Sequence, residues 1–473
     1  MSALDGKLYQ DTPLGVWFEG EKGVVNQSLI FRKEDTGHRL EALCDIPAAT
    51  ELVSMPYELA VTPKMIKATL PADLTEDLSD HSVICLYLML HDLAIEGVPL
   101  PYDLKHLEYA KTLPRPQQMQ TAMWFTEAEF ELLNGSNLYP AVLDRRQEWQ
   151  AKLKHMLKKL EGKVPFDLNL FTWERFLWAS TTLSSRAFPS YLLDGERENA
   201  TQIFLPCIDV FNHKRATAVT WFSDHKNKRM QLITDEPIQA GNEVFNNYGA
   251  KPNDELILGY GFVLKDNPSD IISLRFGAQG EDERIKLLER LRIPISKSHY
   301  IRKDIETLPE ELKAQVRILV ADDEEIAQIQ AKSVDETAAD LWKTAAGFVS
   351  WPNELEMLDQ LAGMLEAKLA SVQRALDRTE AAARLTNGKK RQRSASEDGN
   401  AAPINGQAQP SRAVIREQIR DMIETYLEGQ IDLLQHCLVV QGQEFDDVVA
   451  RARADGFEVD EEEEEMEEDE DQE

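Results

Sequence analysis

Short runs in which apolar and polar residues alternate open the chain. Over residues 14–63 the stretches GVVNQSLIFRK and ATELVSMP are divided by Gly, Pro and Asp turns, and this pattern predicts a small β-rich region. From 64 to 180 the apolar spacing lengthens to three and four. SDHSVICLYLMLHDLA places an apolar face behind Ser79, a good N-terminal cap, and DRRQEWQAKLKHMLKKL reads as a basic amphipathic helix with a solvated face. Together they predict a helical insertion. Strand-like runs return between 201 and 265 as IFLPCIDVF, TAVTWFS, KRMQLITDEPI and NEVFNNYG, and ELILGYGFV closes the region.

From about 275 to 455 the chain is helical and charged. Asn353 and Glu356 make an N-x-x-E capping pattern, and Leu355, Leu358, Leu361, Leu365, Leu369, Val372 and Leu376 then recur every three or four residues. Such a stripe needs a partner helix, which Ile415, Ile419, Ile423 and Leu427 supply. The two predict a helical hairpin joined by a disordered loop, 386–412, rich in Gly, Ser, Pro, Ala and charge. In that loop Lys389, Lys390, Arg391 and Arg393 form a basic cluster beside Ser394 and Ser396, a candidate nuclear-import address.

The length of 473 residues and the 42% apolar fraction allow two or three domains with cores of their own. The chain has 83 acidic and 52 basic residues, a net charge of −31; 13 acidic residues lie in 458–473, within an acidic tail (456–473) expected to be disordered, which leaves −18 elsewhere. So acidic a body repels a phosphate backbone, so direct nucleic-acid binding is not expected and basic proteins are better partners. Cys44, Cys85, Cys207 and Cys437 are far apart, with no CxxC pair, which argues against a disulfide framework or a structural zinc and for a reducing compartment. The longest apolar run, Val83 to Leu90, is far short of the about 20 residues of a membrane helix. With no signal-peptide pattern at the N-terminus, the expectation is a soluble protein of nucleus or cytoplasm, its oligomeric state open and a monomer favoured.

No GxSxG elbow, phosphate loop, HExxH helix or GxGxxG turn is present, which removes the usual support for hydrolase, kinase and dehydrogenase readings. What stands out is an ordered series. Ser184-Ser185-Arg186-Ala187-Phe188 is followed by Pro206 to His213 with Asp209, Asn212 and His213, then by Asn246-Asn247-Tyr248-Gly249, Asn253-Asp254-Glu255-Leu256 and Gly259-Tyr260-Gly261-Phe262. Each piece alone is ordinary.

In that order, as SRxF, PxxDxxNH, YG with a downstream Asn and Glu-Leu, and YGF, the pieces resemble the SET-domain protein methyltransferases related to the Rubisco large-subunit lysine methyltransferase. The Asn-x-Tyr-Gly and the second tyrosine twelve residues on also resemble the branch holding the animal SET-domain enzyme that methylates a transcription-factor subunit. The resemblance covers the whole chain in outline. It implies an α+β fold: a β-rich split SET domain (14–63 and 181–268) around the helical insertion (64–180), followed by an all-α C-terminal substrate-binding domain (275–455).

It also implies S-adenosylmethionine as cofactor, a lysine acceptor and no metal. Methyl transfer to an amine needs alignment more than strong acid or base, and a lysine, with an ordinary pKa of about 10.4, must first lose its proton. By resemblance Tyr248 is the catalytic residue, its hydroxyl orienting the amine, while Asn212, His213, Arg186 and Tyr260 hold the cofactor. Asp209, Phe188 and Phe245 are expected on the substrate side, Asp209 also as an internal partner of Arg186. Family members carry a G-x-G turn before A-x-x-D-I-P. Here Gly37 and His38 keep part of that cofactor turn, but Arg39 stands at the second glycine. Asn253 is expected to cap a helix. The activity expected is lysine methylation of a basic non-histone protein, such as a ribosomal protein or translation factor. The alternatives are a catalytically inactive SET-derived binding module and, because one relative methylates a histidine, a histidine acceptor.

Overall fold

The computed structural model of the chain describes residues 5–34, 37–276, 283–333, 340–396 and 415–459. Two compact units form, one from Met1–Phe130 and Leu138–Val263, the other from Glu131–Asn137 and Leu264–Glu473.

The first unit is built on an antiparallel four-stranded sheet, in the order Val24–Val25, Thr50–Pro56, Arg229–Thr234, Val219–Asp224. Strands from both ends of the unit's sequence thus pair in one sheet, Ser54 opposite Gln231 and Met55 opposite Met230. A hairpin of Leu29–Glu34 with Gly37–Ala42 lies in the same unit. The helical insertion is laid between these strands in sequence. Its helix Asp80–Ile95 starts as the pattern predicts, the Ser79 hydroxyl accepting the Ser82 amide hydrogen at 3.2 Å. It is buried almost all round, from Ser82 to Leu93, more than an amphipathic face requires.

Among the described residues, the second unit is helical apart from one antiparallel pair, Ile271–Arg275 with Ser298–Arg302. Its two long helices, Trp351–Ser396 and Glu417–Ala454, pack on each other as the hydrophobic stripes predict. Leu358, Leu361, Leu365 and Val372 are buried, as are Ile419, Ile423 and Leu427; each such side chain contributes roughly 1.5–3 kcal/mol. Two details differ from expectation. The cap of the first helix is Ser350, whose hydroxyl accepts from Asn353 N at 3.1 Å, while the Asn353 amide donates to the Arg317 carbonyl at 3.0 Å. Pro352 sits in the first turn, where a missing N–H costs nothing. Helical backbone also continues to Ser396, ten residues past 386, because 381–396 is mostly Ala, Arg, Lys and Gln with a single glycine. The rest of the expected loop, the side chains of the basic cluster 389–393 and the acidic tail from 460 onward lie outside the described residues.

The stretch Glu131–Asn137 belongs to the second unit although the first surrounds it in sequence. Asn137 donates to the Ser273 carbonyl at 3.0 Å, Lys368 to the Gly135 carbonyl at 3.3 Å, and Arg378 to the Asn134 carbonyl. Gly135 has φ +105°, and a Cβ there would meet the Ser371 carbonyl at 2.5 Å, so this approach requires glycine.

Candidate active site

The helix Trp173–Arg186, capped by the Thr172 hydroxyl, ends on Arg186 and delivers it to the interior of the first unit. The segment 205–211 that follows in space is buried and irregular. Cys207 is fully buried at φ 74°, a left-handed conformation that costs a non-glycine residue about 1–3 kcal/mol and gathers at functional sites. The turn there brings Asp209 under Arg186. Guanidinium Nη1 donates to Asp209 Oδ2 at 3.1 Å and to the Asp209 carbonyl at 2.9 Å, and the Tyr109 hydroxyl donates to Oδ2 at 2.8 Å. Burial pushes the Asp209 carboxyl up, with Arg186 and Tyr109 pulling it back. For Arg186, burial is outweighed by the Asp209 carboxylate, so the guanidinium stays charged.

The next layer joins two backbone segments side by side. Asn246 N donates to the Asn212 carbonyl at 2.7 Å and Lys214 N to the Asn246 carbonyl at 3.0 Å. Asn246 is fully buried, and its side-chain oxygen accepts from Trp221 Nε1 and from Asn247 N, each at 2.8 Å. This join fixes Tyr248. Its amide donates to His213 Nδ1 at 3.0 Å and its hydroxyl to the Phe211 carbonyl at 2.8 Å. The His213 ring stacks on it at 5.0 Å and Tyr260 at 5.3 Å. Burial raises the Tyr248 phenol above its ordinary value, so it remains protonated. Burial and then Lys251 lower His213, which leaves a neutral imidazole accepting at Nδ1.

Two cavities meet at this layer. One, about 330 Å³, has walls from Gln118–Thr121, Asn212, His213 and Phe262; the other, about 260 Å³, from Phe188, Tyr191, Trp221 and Lys251. Ser185, Arg186, Asp209, Tyr248 and Tyr260 line both. Among the described residues, Thr121 Oγ1 and Asp209 Oδ1 are buried polar atoms with no hydrogen-bond partner, and both residues line the first cavity. A larger cavity, about 640 Å³, lies in the second unit. Its buried cations are already bound, Arg317 to Glu354 at 2.7 Å and Lys313 to Glu444 at 2.9 Å. The smaller pair of cavities is the candidate site.

Tyr248, Tyr260, Arg186, Asp209, Asn212 and His213 are thus brought together, and Phe188 joins them, its ring 5.0 Å from Trp221. Phe245 is not: it lines neither cavity, and Lys214 lies 5.5 Å over its ring. Gly37 and His38 also line neither. They sit on the hairpin strand opposite Glu34 and Lys33, with His38 edge-on to Phe31 at 6.0 Å, and Arg39 bonds Glu41 at 3.3 Å. The Asn212 amide donates to Glu243 at 2.8 Å. Asn253 does not cap. Pro252 holds the cap position of the helix Asn253–Gly259, and Asn253 is a buried first-turn residue.

Sequence reasoning missed Gln118–Thr121, Trp221 and Lys251. One signal pointed there. Gly261 has φ +83°, and a Cβ on it would sit 2.8 Å from the Gln120 carbonyl carbon and from Thr121 N. The glycine between Tyr260 and Phe262 marks the close approach of a second segment, though not which one.

Residues 37–249 match the SET domain family model and residues 281–404 the Rubisco LSMT substrate-binding family model. The ribosomal lysine N-methyltransferase set10 of Schizosaccharomyces pombe is 33% identical over 252 residues, covering 52% of this chain and 44% of the relative. An actin-histidine N-methyltransferase of Gallus gallus is 22% identical over 368 residues, covering 75% and 60%. The chain thus spans roughly half the length of these curated relatives. The crystal structure of the SET domain of LSMT bound to lysine and AdoHcy superposes with a TM-score of 0.69 at 18% identity, covering 92% of this chain and 91% of that one. The likeness establishes the fold.

Proposed function

We propose, for a chain that carries a SET domain and a Rubisco LSMT substrate-binding domain, the activity of an S-adenosylmethionine-dependent protein-lysine N-methyltransferase. The observation that carries it is the meeting of two cavities at one wall of stacked tyrosines, Tyr248 and Tyr260. A methyl donor and an acceptor bound in separate cavities touch only through such a wall. S-adenosylmethionine supplies an electrophilic methyl group on a cationic sulfur.

The first cavity suits that group. Its volume is within the range of small-molecule sites, from about 300 Å³ upward. Tyr260 and Phe262 offer aromatic faces to a cation, Thr121 Oγ1 and Asp209 Oδ1 offer unfilled polar contacts, and Asn212 with His213 offers backbone groups. Arg186, already bound to Asp209, then acts by holding the shared wall. In the second cavity Phe188 and Trp221 keep water from the acceptor. The Tyr248 hydroxyl already donates its hydrogen bond to the Phe211 carbonyl, so its oxygen is left to accept from an amine N–H and turn the nitrogen lone pair.

The substrate we propose is a basic non-histone protein, such as a ribosomal protein or translation factor, met in cytoplasm or nucleus. The net charge of −31 and the ribosomal lysine methyltransferase relatives support it. A histidine acceptor is the second reading, favoured by the actin-histidine methyltransferase relatives. An inactive binding module fits less well with an intact Tyr248 layer. The test is transfer of radiolabelled methyl into a lysate from cells lacking the protein, with Tyr248→Phe as control. Wild type is expected to label a basic protein at least about 100-fold faster than the variant, and mass spectrometry of the labelled peptide assigns lysine or histidine. No label above the variant, with no cofactor binding by calorimetry, would sink the proposal.

A further inference from the structure

The second cavity is lined by three formally charged side chains, Arg186, Asp209 and Lys251. The first two cancel in a pair at 3.1 Å whose carboxylate is fully buried. Lys251 is bound by Glu255, one helical turn on, and by the Tyr260 hydroxyl. Glu255 is not part of the lining and is 49% exposed, against 20% for the lysine. This ion pair therefore has its positive end at the cavity and its negative end toward solvent. Lys251 Nζ lies 5.4 Å over the Tyr260 ring, which stacks on Tyr248. In a chain of net charge −31, the acceptor-side cavity is lined by a net +1.

The other groups around this lysine offset it only from behind the lining: Glu243, bound by Asn212, acts on Tyr248 and Glu255 on Tyr260, and neither carboxylate lines the cavity. Tyr248 and Tyr260 are held protonated by burial, and His213 is held neutral by burial and by Lys251 itself. Arg145, from the helix Leu138–Leu160, interacts with Glu255, whose carboxylate also reaches Tyr260.

We propose that Lys251 is a positioning residue that makes the cavity select the neutral form of the acceptor nitrogen. A like charge nearby disfavours an ammonium, so the acceptor's proton passes to bulk water before the side chain is seated, and the lone pair arrives free. The assignment rests on the methyltransferase reading above.

The experiment measures kcat and KM for a lysine peptide from pH 6.5 to 10.5, with Lys251→Met, Lys251→Arg and Glu255→Gln. Removing the cation lets the ammonium form be seated, so the acid limb of kcat, which reports the bound acceptor, is expected to move up by about one pH unit. This is a roughly tenfold loss at the acid end that closes at the alkaline end, while the acid limb of kcat/KM stays with the free lysine. Lys251→Arg restores the wild-type limb, and Glu255→Gln, which unmasks the charge, moves it down. Cofactor affinity by calorimetry within about twofold of wild type shows that each variant is folded. A Lys251→Met profile that lies parallel to wild type at every pH overturns the proposal, and so does an unmoved limb in Glu255→Gln, which stands in if the first variant does not fold. Failure of the wild type to transfer methyl at any pH takes down the methyltransferase reading and this assignment with it; unmoved limbs in an active enzyme take down this assignment alone.

Discussion

Asp209 is where a guanidinium and a phenol converge, and neither Arg186 nor Tyr109 has another acidic partner among the hydrogen bonds and ion pairs described above. Replacing it by alanine leaves a half-buried cation without its counter-charge, a change that costs less than the about 3–5 kcal/mol of a fully buried pair because Arg186 is 25% exposed. Urea unfolding of Asp209→Ala is therefore expected at a clearly lower midpoint, with methyl transfer lost; an unchanged midpoint would show that the pair does not hold the wall. At this scale the sequence was informative through order, because Asp209, Asn212, His213 and Tyr248 are each locally ordinary and only their succession set them apart. It was silent on Trp221 and Lys251. A tryptophan in a strand and a lysine before a proline are locally ordinary, and only pairing across the fold places them on a cavity.

Helix starts illustrate what local pattern does and does not decide. Ser79 caps as read, its hydroxyl accepting from the Ser82 amide while donating to the Ser82 hydroxyl, whereas Asn353 is drawn to the Arg317 carbonyl and leaves the cap to Ser350. The insertion also holds three histidines that periodicity alone did not single out, His91 and His106 buried and His81 half-buried. Burial lowers His81 and His91 to about 4 and His106 to about 3, Lys152 adding to the first and His91 to the last. Their folded values lie below the unfolded value of 6.5, so their stabilisation is complete above pH 6.5 and is lost as pH falls. The unfolded chain then takes up protons that the folded one refuses. Between pH 6.5 and 5, above the carboxylate range, each contributes a loss of up to about 1.4 kcal/mol per pH unit. Urea midpoints at pH 7.5, 6 and 5 should fall steadily; a flat series would contradict the burial of these rings.

For the whole molecule, the charge of −31 acts at long range, before any contact is made. Steering of this kind is screened by salt. On a basic protein substrate, kcat/KM is expected to drop several-fold as salt rises from about 0.05 to about 0.5 M, with kcat little changed; equal values would assign the acidity to solubility alone. The alternation of β-rich and helical stretches and the C-terminal hairpin were legible in the sequence, because strand and helix periods differ so clearly; that the two β-rich stretches share one sheet was implied only by the family resemblance. The loan of Glu131–Asn137 to the second unit was not, since seven residues carry no period. That loan bears on the order of synthesis. Asn134, Gly135 and Asn137 leave the ribosome some 130 to 240 residues ahead of Ser273, Lys368, Ser371 and Arg378. At about 5–20 residues per second they wait on the order of ten seconds or more. A fragment starting at residue 264 would never receive them, and so would lack the hydrogen bonds they make with Ser273, Lys368 and Arg378.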